Sequence, residues 1–470
     1  MEETIVLFPS PGISHVISMV ELGKLILHHY PHKFSSITIL VCTGYLDSPA
    51  LEDYIKSITK SYASISFHRY PAQLLDTTPQ KNRTGLSIMT EFNQLYPPNL
   101  RNAIQEISKT STVKALVIGL FCVSAVSVGS QLGIPTYYFF TSGAVALAVF
   151  FNFPKIFGNI TDESFNDLKV LNFHGLSVVR PSDIKGLLPK IFSNFCSGFA
   201  KATGIIVNSF EGLEPVAMKA VEDGVCVPDG PTPPVYYIGP LIGGGEEKDQ
   251  AVSEEEDYMK WLDKQPSRSV VFLCFGSRGT FSVKQVREIA IGLENSGKRF
   301  LWVIKKPVID EKIKQTRELN DFDLDSVLPE GFIKRTRDVG RVVKTWVSQV
   351  EVLKKESVGG FVTHCGWNSI LEAVLLAGIP MIAWPLYAEQ FLNRNALVED
   401  MGMAIPVEMR EEDGFVSGTE LEKRVRELMD SEKGKELREQ NRKMKEMSLA
   451  AFGETGSSKL ALKRFINAIE

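Results

Sequence analysis

Short runs of consecutive apolar residues recur along this chain, and between them apolar side chains return every three or four positions. Thr4–Phe8, Ile37–Cys42, Ala115–Ile118, Thr136–Phe140 and Gly204–Asn208 are rich in β-branched and aromatic residues, the pattern of strands covered on both faces. His15–His28 and Ser142–Phe153 carry helical spacing. The second half repeats the scheme with Ser269–Phe275, Phe300–Ile304, Arg341–Thr345, Gly359–Thr363 and Met381–Ala383. Strand alternating with helix predicts an α/β protein with parallel sheets, helices on both faces and right-handed crossovers. Pro228–Glu256 is rich in Pro and Gly and ends in acidic residues, so it reads as a linker. The expected division is therefore 1–245, 246–452 and a closing segment, 453–470, that packs back on the first domain.

Some stretches break the alternation. Phe157–Lys190 has little periodicity and reads as a long irregular loop, and the charged Lys305–Pro329 as a surface excursion. Thr419 and Glu422 have the spacing of a capping box for a helix starting there. Ser431–Leu449 reads as a solvated charged helix. Ser457–Ile469 is amphipathic, with Leu460, Leu462, Phe465, Ile466 and Ile469 on an apolar face that needs a partner.

At 470 residues the chain is long for a single core, which agrees with two domains. A net charge of -4 without a basic block argues against a nucleic-acid binder. The acidic start and short apolar run of MEETIVLFPSPG are not those of a secretory leader, and no apolar stretch is long enough to span a membrane. The six cysteines, at 42, 122, 196, 226, 274 and 365, show neither CxxC nor metal-ligand spacing; reduced, mostly buried thiols and a cytoplasmic setting are expected.

The densest chemistry lies between Trp346 and Gln390. There an apolar strand ends in His364-Cys365-Gly366, and the following helix opens with Asn368 and Ser369 and carries Glu372 one turn later. A helix start at a strand's carboxyl end offers free N–H groups and a positive dipole end, which suit a diphosphate. His364, Asn368 and Ser369 can add donors to phosphate oxygens, and Glu372 can accept two ribose hydroxyls. Trp346 can stack on a base. Phe275-Gly276-Ser277 closes another strand with a small turn that can approach a phosphate. Taken singly, the His reads as a packed residue, the Trp as core and Asn-Ser as a cap. At fixed spacing in one strand–turn–helix unit they point to a nucleotide-activated sugar.

This segment, with HCGWNS and PLYAEQ, resembles the signature box of plant secondary-product UDP-glycosyltransferases. The similarity extends over nearly the whole chain through a His-containing N-terminal loop, a TSG element, an FGS turn and the closing helix. It implies a GT-B fold, two Rossmann-like doubly wound domains facing a cleft, and inverting transfer without a metal or other cofactor. By the same resemblance Trp346 stacks on uracil with Gln349 nearby. His364, Asn368, Ser369 and Ser277 bind phosphates, and Glu372 binds the ribose. Glu389, Gln390, Trp367 and Thr141 contact the sugar, with Gln390 and Trp367 resembling glucose users. One departure is that the family usually has one residue fewer between Glu372 and Pro380; a bulge or altered helix end is expected to absorb the extra one.

In the N-terminal half, His15 follows the first strand at the opening of a helix, and an imidazole there suits a general base near neutral pH. In isolation it could equally be a solvated helix-start residue. The resemblance makes it the base that takes the acceptor's proton. It also implies an Asp partner at the end of the Ala115–Ile118 strand, but Gly119 stands there and no carboxylate remains on that segment. A Ser or water could hold the ring, or an acidic phenol could need little help. Alternatively, the chain belongs with the family's C-glycosyltransferases, which often lack this Asp and attack through a ring carbon. Ile13, Phe121, Phe139 and Tyr387 are candidate acceptor contacts, and each is also an ordinary core type. The expected partners are UDP-glucose and a flavonoid-like aromatic acceptor, acting on a monomer. A UDP-sugar-binding protein with little turnover is the rival from another class. Asp321-Phe322-Asp323 contains a DxD pattern, read here as a solvated acidic loop rather than a metal site.

Overall fold

The computed structural model describes residues 2–43, 49–71, 85–158, 170–171, 173, 176, 179–184, 189–227, 230–243, 253–308, 322–344 and 347–470. The chain divides into two compact units, residues 1–244 with 450–470, and residues 245–449.

The first unit is built on a parallel sheet of β1 (Glu2–Phe8), β2 (Ser36–Thr43), β3 (Ile65–Pro71), β4 (Ser111–Gly119), β5 (Thr136–Phe140), β6 (Gly204–Val207) and β7 (Val235–Tyr237). Its order is β3-β2-β1-β4-β5-β6-β7. The second unit repeats the winding with β8 (Val270–Cys274), β9 (Arg299–Val303), β10 (Gly340–Val343), β11 (Val358–Thr363), β12 (Met381–Ala383) and β13 (Ala404–Pro406). There the order is β10-β9-β8-β11-β12-β13, again parallel. Both are doubly wound sheets whose order reverses beside the first strand, between β1 and β4 and between β8 and β11. At such a switch point the two loops leave in opposite directions and open a crevice at the strands' carboxyl ends.

The strands are apolar throughout because both faces are covered. Helix Ile13–His29 lays Val16, Met19, Val20, Leu22 and Ile26 on Ile5, Leu7, Ile37 and Ile39. Helix Ser457–Ala468 packs on the same sheet, with Phe465 edge-on to Tyr137 at 5.0 Å between ring centres and to Tyr236 at 5.6 Å. Ala461, Leu462, Ile466 and Ile469 share that core, whereas Leu460 is 45% exposed and lies off the buried face.

Three strands lack the expected sequence pattern. β3 sets His68 and Arg69 side by side among its apolar residues, and β7 and β13 have three residues each, too short for periodicity to register. β7 falls inside the stretch read as linker and pairs with β6. The segment read as an irregular loop holds helical residues at Pro181–Ile184 and Pro189–Cys196, and helix Ala144–Gly158 runs into it. The cap near 419 is Ser417, whose hydroxyl accepts from the Glu420 backbone N–H at 3.2 Å; Glu420 itself turns to the Glu408 backbone N–H. Helix Glu432–Ala450 is charged but not solvated all round, since Leu437, Asn441, Met444 and Ser448 are buried and Asn441 donates to the Met403 carbonyl. Among the described residues no helix is long and apolar enough to cross a membrane.

Candidate functional site

At the switch point of the second sheet, β8 ends beside β11 with Cys274 level with Thr363. Each strand then turns through a left-handed residue, Gly276 at φ +70° and Cys365 at φ +61°. Two glycines make room for His364. A Cβ on Gly276 would lie 2.5 Å from the imidazole Nε2, and one on Gly366 closer still. His364 thus packs directly against the Gly276 turn. The ring is 7% exposed, and its Nδ1 finds no hydrogen-bond partner among the described residues. Burial, with the Lys305 charge adding to it, lowers the His364 pKa to about 4, so the imidazole is neutral and offers one N–H donor.

Helix Trp367–Glu372 follows Gly366 and continues as a π-helical turn, Ala373–Ala377, closed by the Gly378 N–H on the Ala373 carbonyl at 2.8 Å. A π turn winds in one extra residue, and here it lies beyond Glu372. Gln349, at the start of helix Gln349–Leu353, donates from Nε2 to Ser369 Oγ at 2.9 Å and to Glu372 Oε2 at 2.5 Å. Three of the expected donor-site side chains are thus one hydrogen-bonded cluster. Burial raises the Glu372 pKa to about 7, while the Gln349 bond pulls it down. A buried carboxyl of this kind ionises fully only when further donors reach it, as two ribose hydroxyls would. Trp346 lies outside the described residues.

The loop after β12 is held from within. Gln390 is buried, and its Oε1 accepts from the Leu386 and Tyr387 backbone N–H groups at 2.9 and 3.0 Å. Ala388 takes φ +56°, a strained position for a residue with a Cβ. Burial raises the Glu389 pKa. The Trp367 ring is 3% exposed, so that residue can offer a sugar its backbone N–H rather than its indole face. Tyr387, expected with the acceptor contacts of the first domain, belongs to this loop, with Arg278 6.0 Å from its ring centre.

The first sheet's switch point carries His15. Gly12 at φ +113° turns the chain from β1 into helix Ile13–His29, and His15 lies in its first turn. Phe121, on the loop after β4, meets the imidazole edge-on at 6.1 Å between ring centres and also packs edge-on against Phe192 and Phe195. The Phe121 backbone is clamped on both sides. Its N–H donates to Ser10 Oγ at 3.0 Å, and its carbonyl accepts from Asn93 Nδ2 at 2.5 Å. Asn93 Oδ1 also accepts from the Ser124 N–H, and the Tyr96 hydroxyl accepts from the Ala125 N–H. Asn93 and Tyr96 lie in a stretch with no recognisable motif, so only folding shows that they hold this loop.

Gly119 is filled from the side. A Cβ there would lie 2.5 Å from the Ser10 backbone nitrogen and closer to the Ser10 hydroxyl. Ser10 thus occupies the space into which a carboxylate side chain would start. Ile13 is half-buried against the core beside His15, but Phe139 is 0% exposed inside the sheet's core and is a packing residue rather than an acceptor contact. Thr141 follows β5 in a turn secured by Glu214, whose carboxylate accepts from the Ala144 and Val145 N–H groups at 2.8 and 2.9 Å. That buried Glu caps helix Ala144–Gly158 from 70 residues away, a partner no local pattern announces.

Ser277 is exposed on its turn, and Asn368 lies in the first turn of helix Trp367–Glu372. Asp321 is outside the described residues, and Asp323 caps helix Leu324–Val327 through the Asp325 N–H. All six cysteines are free; Cys42 and Cys274, expected to be buried, are the two half-exposed ones, at strand ends.

Two doubly wound α/β units, one with a neutral histidine, an amide and a carboxyl at its switch point and one with a helix-start histidine, define a nucleotide-sugar-dependent glycosyltransferase. The chain belongs to the plant family 1 UDP-glycosyltransferases and has their GT-B fold. Residues 233–444 match the model of the UDP-glucoronosyl and UDP-glucosyl transferase family. UDP-glycosyltransferase 88F3 of Pyrus communis is 56% identical over 100% of both chains. Phloretin 2'-O-glucosyltransferase of Malus domestica is 53% identical, again over 100% of both. The solved structure of Phytolacca americana UGT2 complexed with UDP-2fluoro-glucose and pterostilbene has a TM-score of 0.86 at 32% identity, covering 99% of each chain.

Proposed function

We propose that this enzyme transfers glucose from UDP-glucose to a ring carbon of a polyhydroxylated aromatic acceptor, with inversion at the anomeric carbon. The glucose and polyphenol assignments are supported by the names of the relatives. The single observation behind the carbon nucleophile is Gly119 with Ser10 packed against it. His15 takes the proton of a phenolic hydroxyl, and the ring carbon beside it becomes electron-rich. That carbon's electron pair forms the new bond to the anomeric carbon while the bond from that carbon to the UDP oxygen breaks. The leaving electrons pass to the diphosphate, stabilised by the His364 N–H and the helix start at Trp367. The attacked carbon then loses its proton to water while the oxygen takes its proton back from His15, so the ring regains aromaticity and one proton is released with UDP.

An oxygen nucleophile is the second reading, favoured by the full-length relative that is a phloretin 2'-O-glucosyltransferase. Both readings use the same base and the same donor. The binding-protein alternative has little left to support it, because the chain carries the family's base and donor residues together. UDP release with UDP-glucose and a panel of polyphenols tests the reaction, and silence across the panel would overturn it. Heating the product in acid then distinguishes the bonds: a C-glucoside survives and an O-glucoside hydrolyses.

A further inference from the structure

We propose that Lys305 is the fixed cation of the donor site, anchoring the Phe275–Ser277 turn and supplying positive charge to the donor's diphosphate. The inference rests on the reading of the second unit as the UDP-sugar site. Lys305 stands two residues beyond β9, in a stretch whose composition suggested a surface excursion. Instead it is half-buried, and its Nζ donates to the Gly276 carbonyl at 2.5 Å. That carbonyl belongs to the left-handed turn packed against His364.

A lysine withdrawn from water pays a desolvation cost that a carboxylate partner usually offsets. Among the described residues no carboxylate forms an ion pair with Lys305, and its Nζ hydrogen-bonds a neutral carbonyl. Glu372, the acid of this region, is engaged by Gln349. An ammonium has three donors, and the carbonyl uses one. Beside it the buried His364 Nδ1 also finds no partner among the described residues. The two groups divide the work: burial and the Lys305 charge keep the imidazole neutral, so Lys305 carries the positive charge and His364 contributes a hydrogen bond. An anion completing both is what a nucleoside diphosphate brings.

The test compares Lys305→Gln and Lys305→Arg in the full chain, with UDP and uridine titrated calorimetrically. Gln can still donate to the Gly276 carbonyl but lacks the charge. UDP affinity should fall about 10- to 100-fold in Lys305→Gln, the usual weight of a charge-assisted contact. Uridine affinity should stay within about twofold, and Lys305→Arg should restore most of the UDP affinity. The salt dependence of UDP binding should also flatten in Lys305→Gln. UDP affinity unchanged in Lys305→Gln would overturn the charge role, and equal loss of UDP and uridine would reduce Lys305 to a structural clamp. Wild-type protein that binds neither ligand would instead remove the donor-site reading beneath the proposal.

Discussion

His15 and Gly119 are linked through Phe121 and Ser10, and the chemistry proposed for the first unit rests on these residues. His15→Ala is expected to lower the transfer rate about 100- to 10,000-fold while UDP binding persists, which turnover assays and calorimetry on one preparation would check. Gly119→Asp should cost about 1–3 kcal/mol of stability, because its Cβ meets Ser10 backbone as well as side chain. If the carbon nucleophile follows from the missing acid, the same variant should raise the O-linked share of product; thermal unfolding and acid treatment of the product read the two effects. In the second unit the titrating groups oppose each other. Burial raises Glu372 to about 7 from 4.5, so the folded protein keeps a proton that the unfolded chain releases in between. That contribution to stability is full below the unfolded pKa and is lost as the pH climbs to about 7. His364, lowered to about 4 from 6.5, contributes fully above 6.5 and loses its contribution as the pH falls toward 4. Uridine isolates the carboxyl, since it brings ribose hydroxyls without phosphate. Its affinity should rise roughly 25-fold from pH 5.5 to 7.5 and stay flat in Glu372→Gln, on the proposal that the ribose engages the ionised form.

Helices carry much of the positioning. The amphipathic run near the end of the chain requires an apolar partner, and Tyr137 of β5 and Tyr236 of β7 provide it. Phe465→Ala should cost about 3–5 kcal/mol, a loss of burial plus a cavity. Leu460→Ala, at an exposed position of the same helix, should stay within about 0.5 kcal/mol, and denaturant unfolding of both variants compares them. Residue spacing puts Leu460 on the apolar face, but the face actually covered is narrower than the hydrophobic stripe. The π turn at Ala373–Ala377 shows the converse. An extra residue between Glu372 and Pro380 is visible by counting, yet only backbone geometry shows that a π turn at Ala373–Ala377 takes it up.

Each unit is a doubly wound sheet with its own core, and in each the residues proposed for the chemistry lie where the strand order reverses. UDP should therefore protect amides of β11 and helix Trp367–Glu372 against hydrogen exchange while leaving helix Ser457–Ala468 unchanged. At 100 times the dissociation constant the protection should correspond to about 2.7 kcal/mol. Equal protection across both helices would argue against a donor site confined to the second unit.

Local order in the chain determined a great deal. Consecutive apolar runs specify buried parallel strands, and HCGWNSILE sets a histidine, two polar groups and a carboxyl along one strand–turn–helix unit whatever lies elsewhere. These features depend on neighbours a few positions apart, so the backbone's own geometry enforces them. Tertiary structure alone decided what lies across the gaps. It brought Glu214 to the cap of a helix 70 residues earlier, Asn93 to the loop bearing Phe121, and Lys305 out of a charged stretch to the Gly276 carbonyl. It also buried Phe139 in the core and set Ser10 where a carboxylate would start. Such contacts join residues distant in sequence, and no periodicity encodes them; they arise when parallel strands bring their loops to the same sheet edge.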